Sequence, residues 1–141
     1  MILNNMTQED KQLLLKDLCA RLPYGVKVNY KGLIRPLFSV SPTQHYKITL
    51  DNAIDGEHNG LEFVRFDDEI KPYLRPMSSM TEEERNEYFD FRNQELQRVA
   101  FAEIGREAAI AEISDWLNSH NFDFRGLIEK GLALEAPEGM Y

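Results

Sequence analysis

The sequence predicts an α+β protein: an N-terminal helix, a small antiparallel β-sheet or SH3-like barrel, and C-terminal helices. Three observations predict it. Leucines recur at helical spacing before Pro23, apolar and polar residues alternate after it, and a helix-capping signature at Thr81 opens a long helical region. At 141 residues and 43% hydrophobic, the chain is long enough for one core. Such a core buries roughly two thirds of the unfolded surface, so residues 1–141 are expected to form a single domain.

Thr7 followed by Asp10 marks a helix start, and Leu14, Leu15, Leu18 and Leu22 paint one apolar stripe, so a helix is predicted over 7–22, ended by Pro23. A β-rich region is predicted over 24–74. Within it Val26, Val28 and Tyr30 alternate with Lys27, Asn29 and Lys31, and Gly32 supplies a turn. Further strands are expected over 37–40, 46–50 and 61–66, separated by Ser41-Pro42 and the polar stretch 51–60. Short strands at this spacing suit a small antiparallel sheet or a partly closed barrel.

The two prolines of Ile70-Lys71-Pro72-Tyr73-Leu74-Arg75-Pro76 remove backbone donors, which predicts a stiff connector rather than a central strand. Thr81 with Glu84 forms a capping box, and the acidic first turn Glu82-Glu83-Glu84 suits the positive end of a helix dipole. The region 81–134 is read as helical, with Leu96, Val99 and Phe101 as apolar positions before the weak point Gly105, and Ile110, Ile113, Trp116 and Leu117 after it. Asp123 is expected to cap a last short helix carrying Phe124, Leu127 and Ile128, with Gly131 past its end. The tail 135–141 has no period and reads as extended.

Charge divides unevenly along the chain. Residues 1–50 carry a net +4 and residues 51–141 a net −12, which predicts either two surfaces with different jobs or a basic patch set in an acidic body. A sequence pI near 4.9 opposes nonspecific binding to nucleic acid or anionic lipid by the protein as a whole. The single Cys19 excludes an intrachain disulfide, and no run approaches the roughly 18 apolar residues of a membrane span. Met1-Ile2-Leu3-Asn4-Asn5 lacks the basic start and apolar stretch of a secretory signal, so a cytoplasmic location without membrane contact is expected.

Alternation puts Lys27, Asn29 and Lys31 on one side of their strand. Arg35 and Lys47 lie on or beside neighbouring strands, and Phe38, His45 and Tyr46 offer rings for stacking on single-stranded bases. Lys27, Lys31, Arg35, Tyr46 and Lys47 are therefore the candidate binding residues, weighed against a plain solvated sheet face.

A metal alternative lies in the loop 51–62, where Asp51, Asp55, Gly56 and Glu62 match positions one, five, six and twelve of a calcium-binding EF-hand loop. Ala53 supplies no ligand, and the flanks read as strand, which favours a polar hairpin loop. His45, His58 and His120 lack zinc-site spacing, Cys19 reads as a partly buried helix residue, and no phosphate-binding glycine loop, nucleophile elbow or kinase signature is present, so neither cofactor nor catalytic residue is expected. Glu82, Glu83, Glu84, Glu87, Asp90 and Glu95 load one helix with negative charge, able to attract a basic partner or to imitate a nucleic-acid backbone. The interleaved Arg85, Arg92 and Arg98 predict local pairing instead.

Two stretches carry a resemblance: Lys71-Pro72-Tyr73-Leu74-Arg75-Pro76-Met77-Ser78-Ser79-Met80-Thr81-Glu82-Glu83-Glu84, and residues 115–141, which open with Asp115-Trp116-Leu117-Asn118 and end with Pro137-Glu138-Gly139-Met140-Tyr141. They resemble segments of uncharacterised small proteins encoded in phages and integrated mobile elements of gut Bacteroides and relatives. The resemblance implies a genetic context and assigns no catalytic residue. The expectation is a noncatalytic module that binds a protein or nucleic acid. An acidic inhibitor or DNA mimic acting through the helix from Thr81 is the alternative, and a small enzyme comes third.

Overall fold

The computed structural model describes residues 6–41, 47–51, 60–65 and 70–141. Helix α1 spans Gln8–Arg21 and is capped as its sequence predicts: the Thr7 hydroxyl accepts from the Asp10 amide at 3.0 Å, while the Asp10 carboxylate accepts from the Thr7 amide. Strands β1 (Lys27–Tyr30) and β2 (Leu33–Val40) form a hairpin closed by Lys31 and Gly32, with φ of 53° and 80°. Positive φ at both central residues gives a two-residue turn that matches strand twist, and glycine adopts it without strain.

β2 pairs antiparallel with β3 (Lys47–Asp51), and β3 with β4 (Leu61–Arg65). On its other side β1 pairs antiparallel with β5 (Lys71–Pro76). Helices α2 (Glu82–Ala100) and α3 (Arg106–Ser119) follow, and the two-residue strands β6 (Phe122–Asp123) and β7 (Leu134–Glu135) both pair parallel to β5.

The α+β class holds, and the barrel does not close. The sheet is open and mixed, in the order β4-β3-β2-β1-β5-β6, with β7 also on β5. The segment expected to be a connector is thus the strand that joins both halves of the sheet. Successive residues of a strand turn their backbone groups to opposite edges. The Arg75 amide donates to the Asn121 carbonyl beside β6 at 2.8 Å, whereas the Leu74 carbonyl accepts from the Ala136 amide beside β7 at 2.7 Å. The missing donors of Pro72 and Pro76 fall on the β7 edge, and β7 pairs only with Tyr73 and Leu74. Both prolines therefore cost no ladder bond.

The main core lies on one sheet face. Leu14 and Leu18 of α1 pack with Val26, Val28, Leu37, Ile48, Leu50, Val64, Ile70 and Leu74, and Leu127, Leu132 and Ala133 complete it. A second cluster of Met80, Leu117 and Phe122, joined by Tyr88 and Trp116, holds the two long helices at the β5–β6 end. The helical region breaks at Gly105, which occupies the N-cap position of α3.

The predicted last helix does not form. The Asp123 carboxylate does accept from the Leu127 and Ile128 amides, both at 2.9 Å, but a series of turns follows. Gly126 at φ 78° and Gly131 at φ 75° take the chain out of the helical region on either side of it. No helix among the described residues is long and apolar enough to cross a membrane.

Candidate protein-interaction surface

The basic residues of the sheet do not share a face. Lys27 is opposed to Pro36, Val28 to Arg35 and Asn29 to Ile34. Directly opposed residues project to one side, so Arg35 lies with Val28 on the core-facing side, while Lys27 and Asn29 face away from it. The Lys27 ammonium donates to the Met140 carbonyl at 3.2 Å and lies 6.0 Å from the centre of the Tyr141 ring. Arg35 is paired with Glu62, and Lys31 sits in the hairpin turn over the Tyr30 ring. Tyr46 lies outside the described residues; Lys47 enters the sheet through backbone pairing opposite Arg65.

The proposed calcium loop fares similarly. Asp55 lies outside the described residues, Asp51 is opposed to Leu61 and Glu62 to Leu50, so the first and last carboxylates project to opposite faces of the β3–β4 pair. Among the described residues no group of three or more His, Cys, Asp or Glu is arranged to hold a metal. His45 and His58 lie outside the described residues, and His120 stacks on Trp116 with ring centres 4.0 Å apart. Cys19 is exposed rather than partly buried, and the desolvation it meets pushes its thiol above its ordinary pKa, opposite to the shift that activates a nucleophile.

The last residues of the sequence are docked rather than free. The Tyr141 hydroxyl donates to the Tyr73 carbonyl at 2.8 Å and accepts from the Lys27 amide at 2.9 Å, and burial pushes its pKa up to about 12. Residues 135–139 and Tyr141 form one wall of a cleft of about 540 Å³, with Arg75, Ser79, Thr81 and Glu84 on the other. Within that wall Arg75 grips Glu84 in a two-pronged ion pair of 2.8 and 2.6 Å. Its guanidinium also lies 4.2 Å from the centre of the Phe122 ring. The guanidinium holds the Glu84 carboxyl down to about 2, from an ordinary 4.5. Glu84 completes the capping box as well, accepting from the Thr81 amide at 3.0 Å. One side chain thus fixes the first turn of α2 and ties that turn to the sheet.

A second ionic cluster fixes α3. Asp17 and Arg21, both 0% exposed, occupy the buried stripe of α1. The Asp17 carboxylate accepts from Arg21 at 2.9 Å and from Arg125 at 2.7 Å. Arg125 also donates to Asn118 of α3, and Arg21 to the Phe122 carbonyl. Sequence reasoning read none of these as buried, although Leu14, Asp17, Leu18 and Arg21 stand at the i, i+3, i+4, i+7 spacing of one helix face.

What these anchors hold in place is the α2–α3 hairpin. Tyr88 of α2 packs on Trp116 of α3, Phe91 and Val99 are half-buried on the same helix face, and of the 19 residues of α2 only Glu95 is buried. Leu96 and Phe101, read from the sequence as packing positions, are 47% and 76% exposed, and Phe89 and Ile110 stand 44% and 56% exposed beside them. Residues 82–119 carry ten carboxylates against four arginines. The expected ladder of Glu–Arg pairs is mostly absent: within α2 only Glu95–Arg98 forms, and Glu82, Glu83, Glu87 and Asp90 have no ion-pair partner among the described residues. The hairpin therefore presents large apolar side chains and unneutralised carboxylates together. No family model, curated protein or solved structure matches the chain.

Proposed function

We propose that the protein is a noncatalytic, cytoplasmic protein-binding module, in the phage or mobile-element setting its resemblance implies, and that the α2–α3 hairpin is its contact surface. The observation that carries this reading is the exposure of α2. The chain secures both ends of the hairpin with buried or forked ion pairs, yet leaves four large apolar side chains on it in water. Apolar patches rimmed by polar groups mark protein contact sites.

Nucleic acid is the weaker partner, because phosphates meet the acidic hairpin unfavourably and the basic side chains of the sheet are spread over two faces. The acidic-inhibitor reading shares the surface, supported by the unpaired Glu83, Glu87 and Asp90.

The test is affinity capture from a lysate of the cells that carry the gene, with nuclease, using the wild type, Phe89→Ser/Leu96→Ser and Lys27→Gln/Lys31→Gln. A protein retained by the wild type and by the lysine variant but lost from the α2 variant supports the reading. Retention that vanishes with nuclease, or with the lysine variant alone, contradicts it.

A further inference from the structure

The exposed surface of α2 has two distinct flanks. At about 100° per residue, Phe89 and Leu96 lie within about 20° of each other, two turns and about 10.5 Å apart along the axis. Glu83, Glu87 and Asp90 follow at i, i+4 and i+7 and line the opposite flank, with the neutral Asn86, Asn93 and Gln97 on the crest between. α2 and α3 run antiparallel and meet where Tyr88 packs on Trp116, with ring centres 5.4 Å apart. Following both helices in their own sense brings Ile110 of α3 to the same side as Phe89 and Leu96, where its exposed side chain widens the apolar flank.

Resting on the reading above, we infer that this surface takes a basic amphipathic helix of a partner protein, laid along α2. Apolar residues of the partner two turns apart meet Phe89 and Leu96, and its Lys or Arg side chains reach across the crest to Glu83, Glu87 and Asp90. The apolar spacing suits a helix, whose own anchors repeat at i, i+3, i+4 and i+7, and ridges of one helix seat in grooves of another. The charge of the far flank selects a basic occupant: its three carboxylates have no ion-pair partner among the described residues and attract cationic side chains, while the exposed Arg85 and Arg92 lie on the α3 side of Phe89 and Leu96, away from them. A second copy is disfavoured by the same charges, since two hairpins face to face would each bring a net −6 over residues 82–119.

The test uses the full chain and three labelled peptides of about 18 residues, long enough to hold a helix. One is an amphipathic Leu/Lys helix, one the same composition scrambled so that no apolar face forms, and one the Leu/Glu counterpart of the first. Binding is read by fluorescence anisotropy at low salt and at about 0.15 M, where exposed charges are screened beyond about 8 Å. The amphipathic Leu/Lys peptide is expected to bind one to one, about tenfold tighter than the scrambled peptide, and the Leu/Glu peptide not at all. Phe89→Ala/Leu96→Ala and Glu83→Gln/Glu87→Gln/Asp90→Asn should each weaken it about tenfold, and the second variant should also flatten its salt dependence. All five positions are exposed, and circular dichroism checks that the variants fold.

Equal binding of the scrambled peptide, or full affinity of the neutralised variant, overturns the inference. So does a dimer in sedimentation that Phe89→Ala/Leu96→Ala dissociates, because the occupant is then a second copy. If the peptides fail while the lysate partner is still lost with the α2 variant, the basic-helix inference falls and the contact surface stands. If that variant keeps the lysate partner, both fall.

Discussion

Replacing Glu84 by Gln isolates the ion pair that plants α2 on the sheet. Glutamine at this position still serves a capping box, so the variant keeps the bond to the Thr81 amide, while its amide nitrogen replaces the oxygen that accepts from Arg75 and breaks the fork together with the charge. The Glu84 carboxyl drops from 4.5 to about 2 in the folded chain, chiefly through its hydrogen bonds to Arg75, with a smaller opposing effect of desolvation. At about 1.4 kcal/mol per unit, that shift sets a ceiling of about 3.5 kcal/mol. The paired side chains keep 21% and 19% of their surface in water, and solvent screening brings the contribution to about 1–2 kcal/mol.

Because the folded-state pKa is depressed, this stability is fully present above the ordinary carboxylate value of 4.5 and is lost as pH falls from there through about 2. Thermal unfolding should place Glu84→Gln about 3–8 °C below the wild type at neutral pH for a chain of this size. The gap should close toward the acid end of the window, where the wild-type carboxyl is also neutral. A gap that stays constant with pH, or no gap at neutral pH, would refute the assignment of α2's anchorage to this fork.

Asp17→Asn leaves two guanidiniums without the carboxylate they share, and should lower stability by about 3–5 kcal/mol in urea unfolding; a loss under about 1 kcal/mol would mean that the cluster does not hold α1 to α3. Gly105→Ser should stabilise by about 0.5–1 kcal/mol. The residue sits at the α3 N-cap with φ −77°, an added Cβ meets nothing within 4 Å, and serine supplies a capping oxygen at a lower unfolded-state entropy. Tyr141→Phe removes the hydroxyl that bridges Lys27 and Tyr73 and should cost about 1–2 kcal/mol. It should also speed hydrogen exchange at the Lys27 amide; unchanged exchange would show that the docked tail does not protect β1.

The parts of the fold that rest on local chemistry were legible in the sequence. The Thr7 and Thr81 capping boxes, the alternation from Val26 to Tyr30 and the break at Gly105 are set by residues within a few positions of each other. The prolines of β5 misled because a missing donor matters only on the edge where a neighbour needs it, and that edge is decided by strands β6 and β7 from far along the chain.

Asp123 was legible as a cap. Gly126, within the helix that Asp123 would start, turns the chain out of it. Asp17 and Arg21 share the helical spacing of Leu14 and Leu18, and charge alone does not mark a residue as exposed when a partner is buried with it. For α2 the carboxylates were visible and their isolation was not: interleaved arginines predict pairing, and only the packing shows that Arg75, from the sheet, takes Glu84 while Glu83, Glu87 and Asp90 are left unmatched.

The most direct test of the central claim is site-specific photocrosslinking in cells, with a benzophenone side chain placed at the exposed crest position Asn93 of α2 or at the exposed Ile34 of β2. The account predicts a discrete crosslinked protein from position 93 and none from position 34. A crosslink that forms only from position 34 would move the contact surface to the sheet and contradict the account.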